Sequence, residues 1–291
     1  MLQMKIFGNF CIKFVLGFAV LAFALPQAAA EKPKKVKTMT APTKTESSAP
    51  VASQAGLPLF YRALAPFSKN AHAQLQFPEM PAKYTFAAKT NVIPLLITEV
   101  AHAEPSYPIV FMSSGDKEAL ALVALVGLNG ENRYVSKDGQ WVPGVYVPAW
   151  VRRYPFFAVR VEDKAEPMLA IDPTYEFLNA QGGQPFFDKE GNATERLTKV
   201  LEFNVAYQKD AQRTQMAIDA LKQSGVLEEG TLQRRAAKEG ETKNFTGFWV
   251  VNEKKLMALS DDQIIQLHRS GGLGLAYAQM LSMRNIKHLI D

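Results

Sequence analysis

Cysteine is nearly absent. The chain of 291 residues holds one, Cys11, and it lies ahead of the main apolar run at the amino terminus. A product that has lost this stretch has no disulfide, no thiol nucleophile and no thiolate metal ligand. Histidine is scarce as well. His72, His102, His268 and His288 are scattered, and none stands four residues from another, the spacing that puts two imidazoles on one helix face. No metal centre is expected from them. The formal net charge is +5, but the folded body does not carry it. Lys5 and Lys13 hold part, and residues 31–56 hold Lys32, Lys34, Lys35, Lys37 and Lys44 against Glu31 and Glu46. From Leu57 to Asp291 acids and bases balance. A neutral body has no excess field to hold a polyanion, so nucleic acid is not an expected partner.

What is present begins with an address. Lys5 and Lys13 precede an unbroken apolar run from Phe14 to Leu25; Pro26 follows, then Ala28-Ala29-Ala30 before Glu31. Positive, apolar and small-residue segments in that order read as a secretory signal peptide over residues 1–30. The apolar run is short for a membrane span, which takes roughly 20 residues. Ile6 to Leu25, with Lys13 tolerated, leaves a retained anchor as the alternative. Cys11 stands before the apolar run, not at its end, which argues against a lipoprotein. The expected location is the periplasm or cell surface, with no membrane span once the leader is cleaved.

Residues 31–56 are rich in Lys, Thr, Pro, Ser and Ala and poor in large apolar side chains. Burial there cannot offset the entropy of ordering, so the stretch reads as a flexible basic linker. The folded domain, 57–291, opens at Leu57-Pro58-Leu59-Phe60-Tyr61. The apolar fraction, 47%, supports a substantial core. Short strands broken by turn residues are expected first: Tyr84-Thr85-Phe86, Ile109 to Met112 and Leu120 to Leu128. A turn at Asn129 to Asn132, a return through Arg133 to Val135 and a turn at Lys137 to Gln140 before Trp141 suggest an antiparallel meander. Phe156 to Val161 and Met168 to Ile171 read as a hairpin. The period then changes. Leu197, Val200, Leu201, Tyr207, Ala211, Thr214, Ile218 and Leu221 recur at helical steps, with Asn192 or Thr194 as cap, Glu195 in the first turn and Gly225 as stop. A second hairpin joins Thr231 to Ala236 and Asn244 to Val251 through Lys238 to Glu241. Ser260-Asp261-Asp262 caps a helix to His268, Gly271-Gly272 makes a bend, and a final helix runs from Leu273 to Ile290. Strands first and helices later predict an α+β fold: a strand-rich amino-terminal half packed with a long amphipathic helix and carboxy-terminal helices.

The densest chemistry lies between Tyr146 and Phe156. Two prolines fix the backbone, Tyr146, Trp150 and Tyr154 supply flat surfaces, and Arg152 and Arg153 point in opposing directions if the segment is extended. An arginine there can clamp a carboxylate or phosphate while an aromatic ring stacks on the ligand. The alternative is structural, with the arginines paired to acids and the rings in the core. Tyr146, Trp150, Arg152, Arg153 and Tyr154 are therefore the candidate ligand-binding residues, and no catalytic residue is assigned. Ser113-Ser114-Gly115-Asp116 lacks the flanking glycines of a nucleophile elbow and reads as a turn. Gly271-Gly272-Leu273-Gly274 has Tyr277 where a dinucleotide fingerprint needs glycine. Asp188, Glu190 and Asn192 beside Gly191 resemble a calcium loop but lack the closing bidentate glutamate, so turn and cap are the better account. Calcium is the one cofactor left open. Asn192-Ala193-Thr194 and Asn244-Phe245-Thr246 match glycan acceptor triplets, for which chance is the default.

The Tyr146–Phe156 segment resembles the signature of the SapC family, bacterial proteins similar to a surface-layer-associated protein. Matching stretches follow in order: Leu59-Phe60-Tyr61, Asn91 to Leu95, Tyr107 to Phe111, Leu128 to Asn132, Phe187 to Gly191, Phe248 to Val251 and Leu275 to Gln279. The resemblance covers nearly all of 57–291. It implies a link to the bacterial surface layer and offers no catalytic residues to carry over. Members of that family are often encoded beside outer-membrane receptors and oxidative enzymes, so the resemblance also implies substrate handling. Many members resemble this chain only from the Leu-Phe-Tyr opening onward, so its leader and linker are a departure. The expected function is that of an exported, non-enzymatic envelope protein, surface-layer-associated or ligand-binding, with self-association or cell-surface components as partners. The alternative is an accessory or enzymatic role on a peptide or aromatic small molecule.

Overall fold

The structure, a computed structural model, describes residues 56–78, 83–114, 116–159, 167–178, 183–235 and 242–290. The leader, most of the linker and the Lys238–Glu241 turn lie outside the described residues. In chain order the strands are β1 (Ala65–Pro66), β2 (Gln76–Phe77), β3 (Val92–Pro94), β4 (Ile109–Ser114), β5 (Asp116–Leu125), β6 (Phe156–Val159), β7 (Met168–Ile171), β8 (Gln184–Pro185), β9 (Leu227–Arg235) and β10 (Thr242–Val251). The helices are α1 (Lys69–His72), α2 (Val100–Ala103), α3 (Ala149–Arg152), α4 (Glu195–Gln223), α5 (Glu253–Met257), α6 (Asp261–Ser270), α7 (Gly272–Ser282) and α8 (Lys287–Ile290). All pairings among the described strands are antiparallel, and the fold is α+β as expected.

The main sheet runs β3-β5-β4-β10-β9. Its centre is apolar on both faces, with Ile93, Ile109, Phe111, Leu122, Leu125 and Phe248 fully buried. The β9–β10 hairpin adds to this sheet because Phe248 and Trp249 pair with Met112 and Phe111. Helix α7 is pinned beside it by two buried polar side chains. The Gln279 amide donates to Ile109 O and accepts from Val251 N, while Ser282 Oγ accepts from Ile109 N. Such bonds satisfy buried backbone groups that would otherwise cost about 1–3 kcal/mol each.

A smaller sheet, β1-β7-β6, and the β2–β8 pair enclose a second core that is largely aromatic. Tyr61, Phe77, Tyr154, Phe156, Tyr175 and Phe186 are buried there, and Phe60, Phe86 and Phe157 touch both cores. Gly183 lets β8 approach β2, since a Cβ there would fall 2.8 Å from Phe77 N. Helix α4 spans both cores, with Leu197 in the aromatic one and Ile218 and Leu221 in the main one.

Several sequence expectations hold in detail. The hairpins at Phe156 and at β9–β10 form, and Gly225 follows the end of α4 with φ +73°. Ser260 Oγ accepts from Gln263 N in a capping box, and Gly271 ends α6 at φ +81°. Ser114 pairs with Asp116 across the β4–β5 tip, so that stretch is a hairpin turn. Others need correction. Thr85–Ala87 is a 3-10 turn, not a strand, and lays the Phe86 ring against Tyr154. Val135 and Trp141 form only an isolated bridge, so the meander does not continue as strands. The last helix is broken by a 3-10 turn at Met283–Ile286, where Asn285 Nδ2 donates to Glu104 O and Tyr107 O.

Candidate functional site

Ala149–Arg152 is a helical turn, not an extended segment, and this changes where its arginines go. Pro148 opens the turn with φ −56°, and Pro148 O accepts from Val151 N and Arg152 N. Glu99 holds it in place. This carboxylate, 3% exposed, accepts from Ala149 N, Leu96 N and the Tyr146 hydroxyl. Tyr146 in turn accepts from Arg152 Nη2 at 2.9 Å. Burial pushes the Glu99 carboxyl above its ordinary 4.5, while the three donors and the Arg152 charge pull it down.

A carboxyl with a raised pKa in the folded protein binds its proton more tightly there. Its contribution to stability is full below 4.5 and is lost as pH rises through the raised value. Asp188, Glu131 and Glu195 are exposed and shifted downward, by Asn192, Lys89 and Lys199 respectively. Their effects lie on the acid side of the same point. Urea unfolding of the wild type should therefore show stability falling as pH rises just above 4.5. In Glu99→Gln that limb should be flat; an unchanged slope would assign it to another group.

Arg153 goes inward. It is 4% exposed, and no carboxylate pairs with it among the described residues. Its guanidinium carbon stands 4.2 Å from the ring centres of both Phe157 and Tyr207, and 5.3 Å from that of Trp150. Nη2 donates to Asn204 Oδ1 at 3.2 Å, and the Asn204 amide is itself oriented by donation to Val200 O. Arg153 Nε is buried without an acceptor. Tyr207 responds to this field: burial raises its pKa, and the positive charge pulls the other way.

Arg152 and Arg153 border a cleft of about 490 Å³ between α3, β8 and the first turns of α4. Phe156, Val200, Phe203 and Pro185 give it apolar walls, and Gln184, Thr194 and Asn204 add neutral polar groups. Among the described residues its charged lining is Arg152, Arg153, Arg196, Lys199 and Glu195. Glu195 and Lys199 pair at 2.7 Å on the exposed rim. Arg152 lies over the Phe203 ring at 5.3 Å. Arg196 is half-buried over Phe77 and Phe186 and donates to Pro78 O. Thr194 caps α4 by position only: its hydroxyl donates back to Pro185 O and Phe186 O, so the first-turn N–H groups have no side-chain cap.

Of the five residues singled out from sequence, the cleft brings together Arg152 and Arg153. Trp150 is in the core, with Nε1 donating to Leu59 O. Tyr154 is buried among Tyr61, Phe86 and Tyr175, its hydroxyl on Asp172 Oδ2. Tyr146 is half-buried behind Arg152. Sequence reasoning missed Asn204, Arg196, Lys199 and Gln184. Asn204 did leave a signal, since a polar residue seven positions after Leu197 falls on the buried stripe.

Elsewhere the described residues offer less. Both Asp188 oxygens are taken by Asn192, the backbone N–H on Oδ1 and the amide on Oδ2, and Lys69 Nζ stands 3.5 Å from Glu190 O. Among the described residues there is no cluster of three potential metal ligands, and no helix is long and apolar enough to cross a membrane.

A family model described as SapC matches residues 67–289. No curated protein and no solved structure matches the chain.

Proposed function

The chain belongs to the SapC family, and from that premise we propose an exported envelope protein that binds an anionic ligand in the Arg152–Arg153 cleft without transforming it. One observation carries the binding part. A guanidinium buried without a carboxylate costs several kcal/mol unless something compensates it, and among the described residues the partners of Arg153 are neutral: three rings, the Asn204 amide and a side-chain hydrogen bond with Tyr207. A carboxylate, phosphate or sulfate entering the cleft that Arg152 and Arg153 line supplies the missing opposite charge. Export is supported by the leader pattern of Lys5, Lys13, Phe14–Leu25 and Ala28–Ala30. Cell-surface components that carry acidic groups are the partners that suit the site, and surface-layer association is a special case of them. The cleft favours ligand binding over a purely lattice-forming role. Among the described residues of the cleft no nucleophile stands beside a base that would activate it, and the reading proposed is binding alone.

Two measurements test this. Cell fractionation should find the processed chain in the envelope; an exclusively cytosolic chain would end the export reading. Thermal unfolding with added phosphate, citrate or alkyl carboxylates should rise with concentration. At a hundredfold excess over Kd the linkage is about 2.7 kcal/mol, or roughly 5 °C or more for a domain of this size. No shift with any of these anions would remove the binding reading.

A further inference from the structure

The cations that line the cleft are not equally available to a ligand. Arg196 donates to Pro78 O and lies over Phe77 and Phe186, and Lys199 pairs with Glu195 at the rim. The hydrogen-bond partners of Arg152 and Arg153 are neutral among the described residues: Val147 O and the Tyr146 hydroxyl for the first, the Asn204 amide and Tyr207 for the second. The two arginines are neighbours in the chain and together offer one anionic position. Beside it the walls are hydrocarbon. Phe156, Pro185, Val200 and Phe203 line the cleft, and Val200 and Phe203 follow each other on one face of α4, both only half-buried. The volume, about 490 Å³, falls within the roughly 300–1,000 Å³ of pockets that hold organic ligands. A phosphate or sulfate ion on the arginines leaves Val200 and Phe203 wet.

We propose that the ligand of this cleft is a carboxylate with an apolar body, its one charged group on Arg153 and Arg152 and its hydrocarbon against Val200 and Phe203. The inference rests on the anion-binding reading above and adds what the anion must carry besides its charge. Arg153 is 4% exposed and enclosed by Phe157, Tyr207 and Trp150, so an anion sheds water to pair with it. A singly charged carboxylate loses less hydration than phosphate or citrate, and its two oxygens fit the planar guanidinium fork. An apolar body offsets that loss by taking the Val200 and Phe203 surfaces out of water. It also closes the ion pair off from solvent, where the attraction is stronger. Compact or hydrophilic anions supply the charge without either gain.

The test is calorimetric titration of the processed chain with acetate, butanoate, hexanoate and octanoate, with octanamide as the uncharged control and citrate as the hydrophilic one. A methylene taken out of water is worth roughly fourfold in affinity, so octanoate should bind at least ~30-fold tighter than acetate even with half its chain left wet. Octanamide, which lacks the charge-assisted contact, should bind at least ~10-fold weaker than octanoate. A parallel titration with 4-phenylbutanoate tells a ring from a chain, and a gain over acetate with either supports the proposal. Arg153→Met should weaken every carboxylate, and Phe203→Ser should flatten the chain-length series. Acetate or citrate matching both octanoate and 4-phenylbutanoate overturns the apolar body and leaves the anion site standing. Octanamide matching octanoate, with citrate not bound, overturns both, and so does binding of none of these compounds. The ligand series is read on the wild type, so a misfolded variant does not obscure the outcome.

Discussion

Arg153→Met should leave the protein as stable as the wild type or more stable, while lowering anion affinity about 100-fold. The two halves of this expectation come from opposite sides of one balance. In the empty protein the guanidinium loses its hydration, which costs several kcal/mol for a buried ion. Against that stand three ring contacts of about 0.5–2 kcal/mol each and one hydrogen bond of about 1 kcal/mol. These offset that cost only in part. Methionine removes the desolvation cost, keeps most of the volume and offers sulfur to the same rings at about 0.3–1.5 kcal/mol. A stability change between zero and about +2 kcal/mol follows, read as a shift in the urea midpoint. Binding has no such compensation, because a thioether cannot present a charged fork to an acid. Arg153→Lys separates charge from shape: it keeps the charge, gives up the planar fork and should recover only part of the affinity. A loss of more than about 3 kcal/mol in Arg153→Met, the range of a core truncation, would make Arg153 a structural residue and the cleft incidental.

Whether such a residue can be found from sequence depends on how local its environment is. The α4 period, the Ser260 cap and the Gly271 stop are short-range chemistry, and each is where the pattern places it. The Phe156 hairpin is legible for the same reason. The β4–β10 pairing is not, because nothing near Phe111 indicates that Phe248 will lie beside it. Tyr84-Thr85-Phe86 has the composition of a strand, yet its backbone serves the Phe86–Tyr154 stack across a long sequence separation. The Tyr146–Phe156 segment is dense in chemistry, but a linear reading does not resolve it within itself. Three aromatic residues and two arginines are equal candidates in a linear reading. The short helical turn, set by Pro148 and anchored by Glu99, sends Trp150 into the core and turns Arg153 beneath Phe157 and Tyr207. The opposite wall of the cleft comes from β8 and α4, some thirty to fifty residues further along, and only the folded chain brings them near.

Asp172→Ala should be the most damaging single change in the aromatic core, at about 3–5 kcal/mol. Asp172 has no exposure and lies just past the end of β7. Its Oδ2 accepts from Arg62 N at 2.7 Å and from the Tyr154 hydroxyl at 3.2 Å, and its Oδ1 accepts from Thr174 N and Thr174 Oγ1. One carboxylate therefore ties the segment before β1, the chain after β7 and the residue next to Arg153. Alanine leaves the buried Tyr154 hydroxyl and the part-buried Arg62 amide without an acceptor, and each such group costs up to about 1–3 kcal/mol. The exposed Thr174 can turn to solvent, so it adds less. Asp172→Asn keeps one acceptor oxygen and places an amide against donors on the other side, for an intermediate loss of about 1–3 kcal/mol. Thermal unfolding should order the three proteins wild type, Asn, Ala, with the alanine variant lower by roughly 10 °C. Anion affinity should fall in the same order, since Tyr154 and Phe156 fix the backbone on which Arg153 is carried. Were the alanine variant to unfold within about 1 kcal/mol of the wild type, the four bonds would be incidental to the stability of this core.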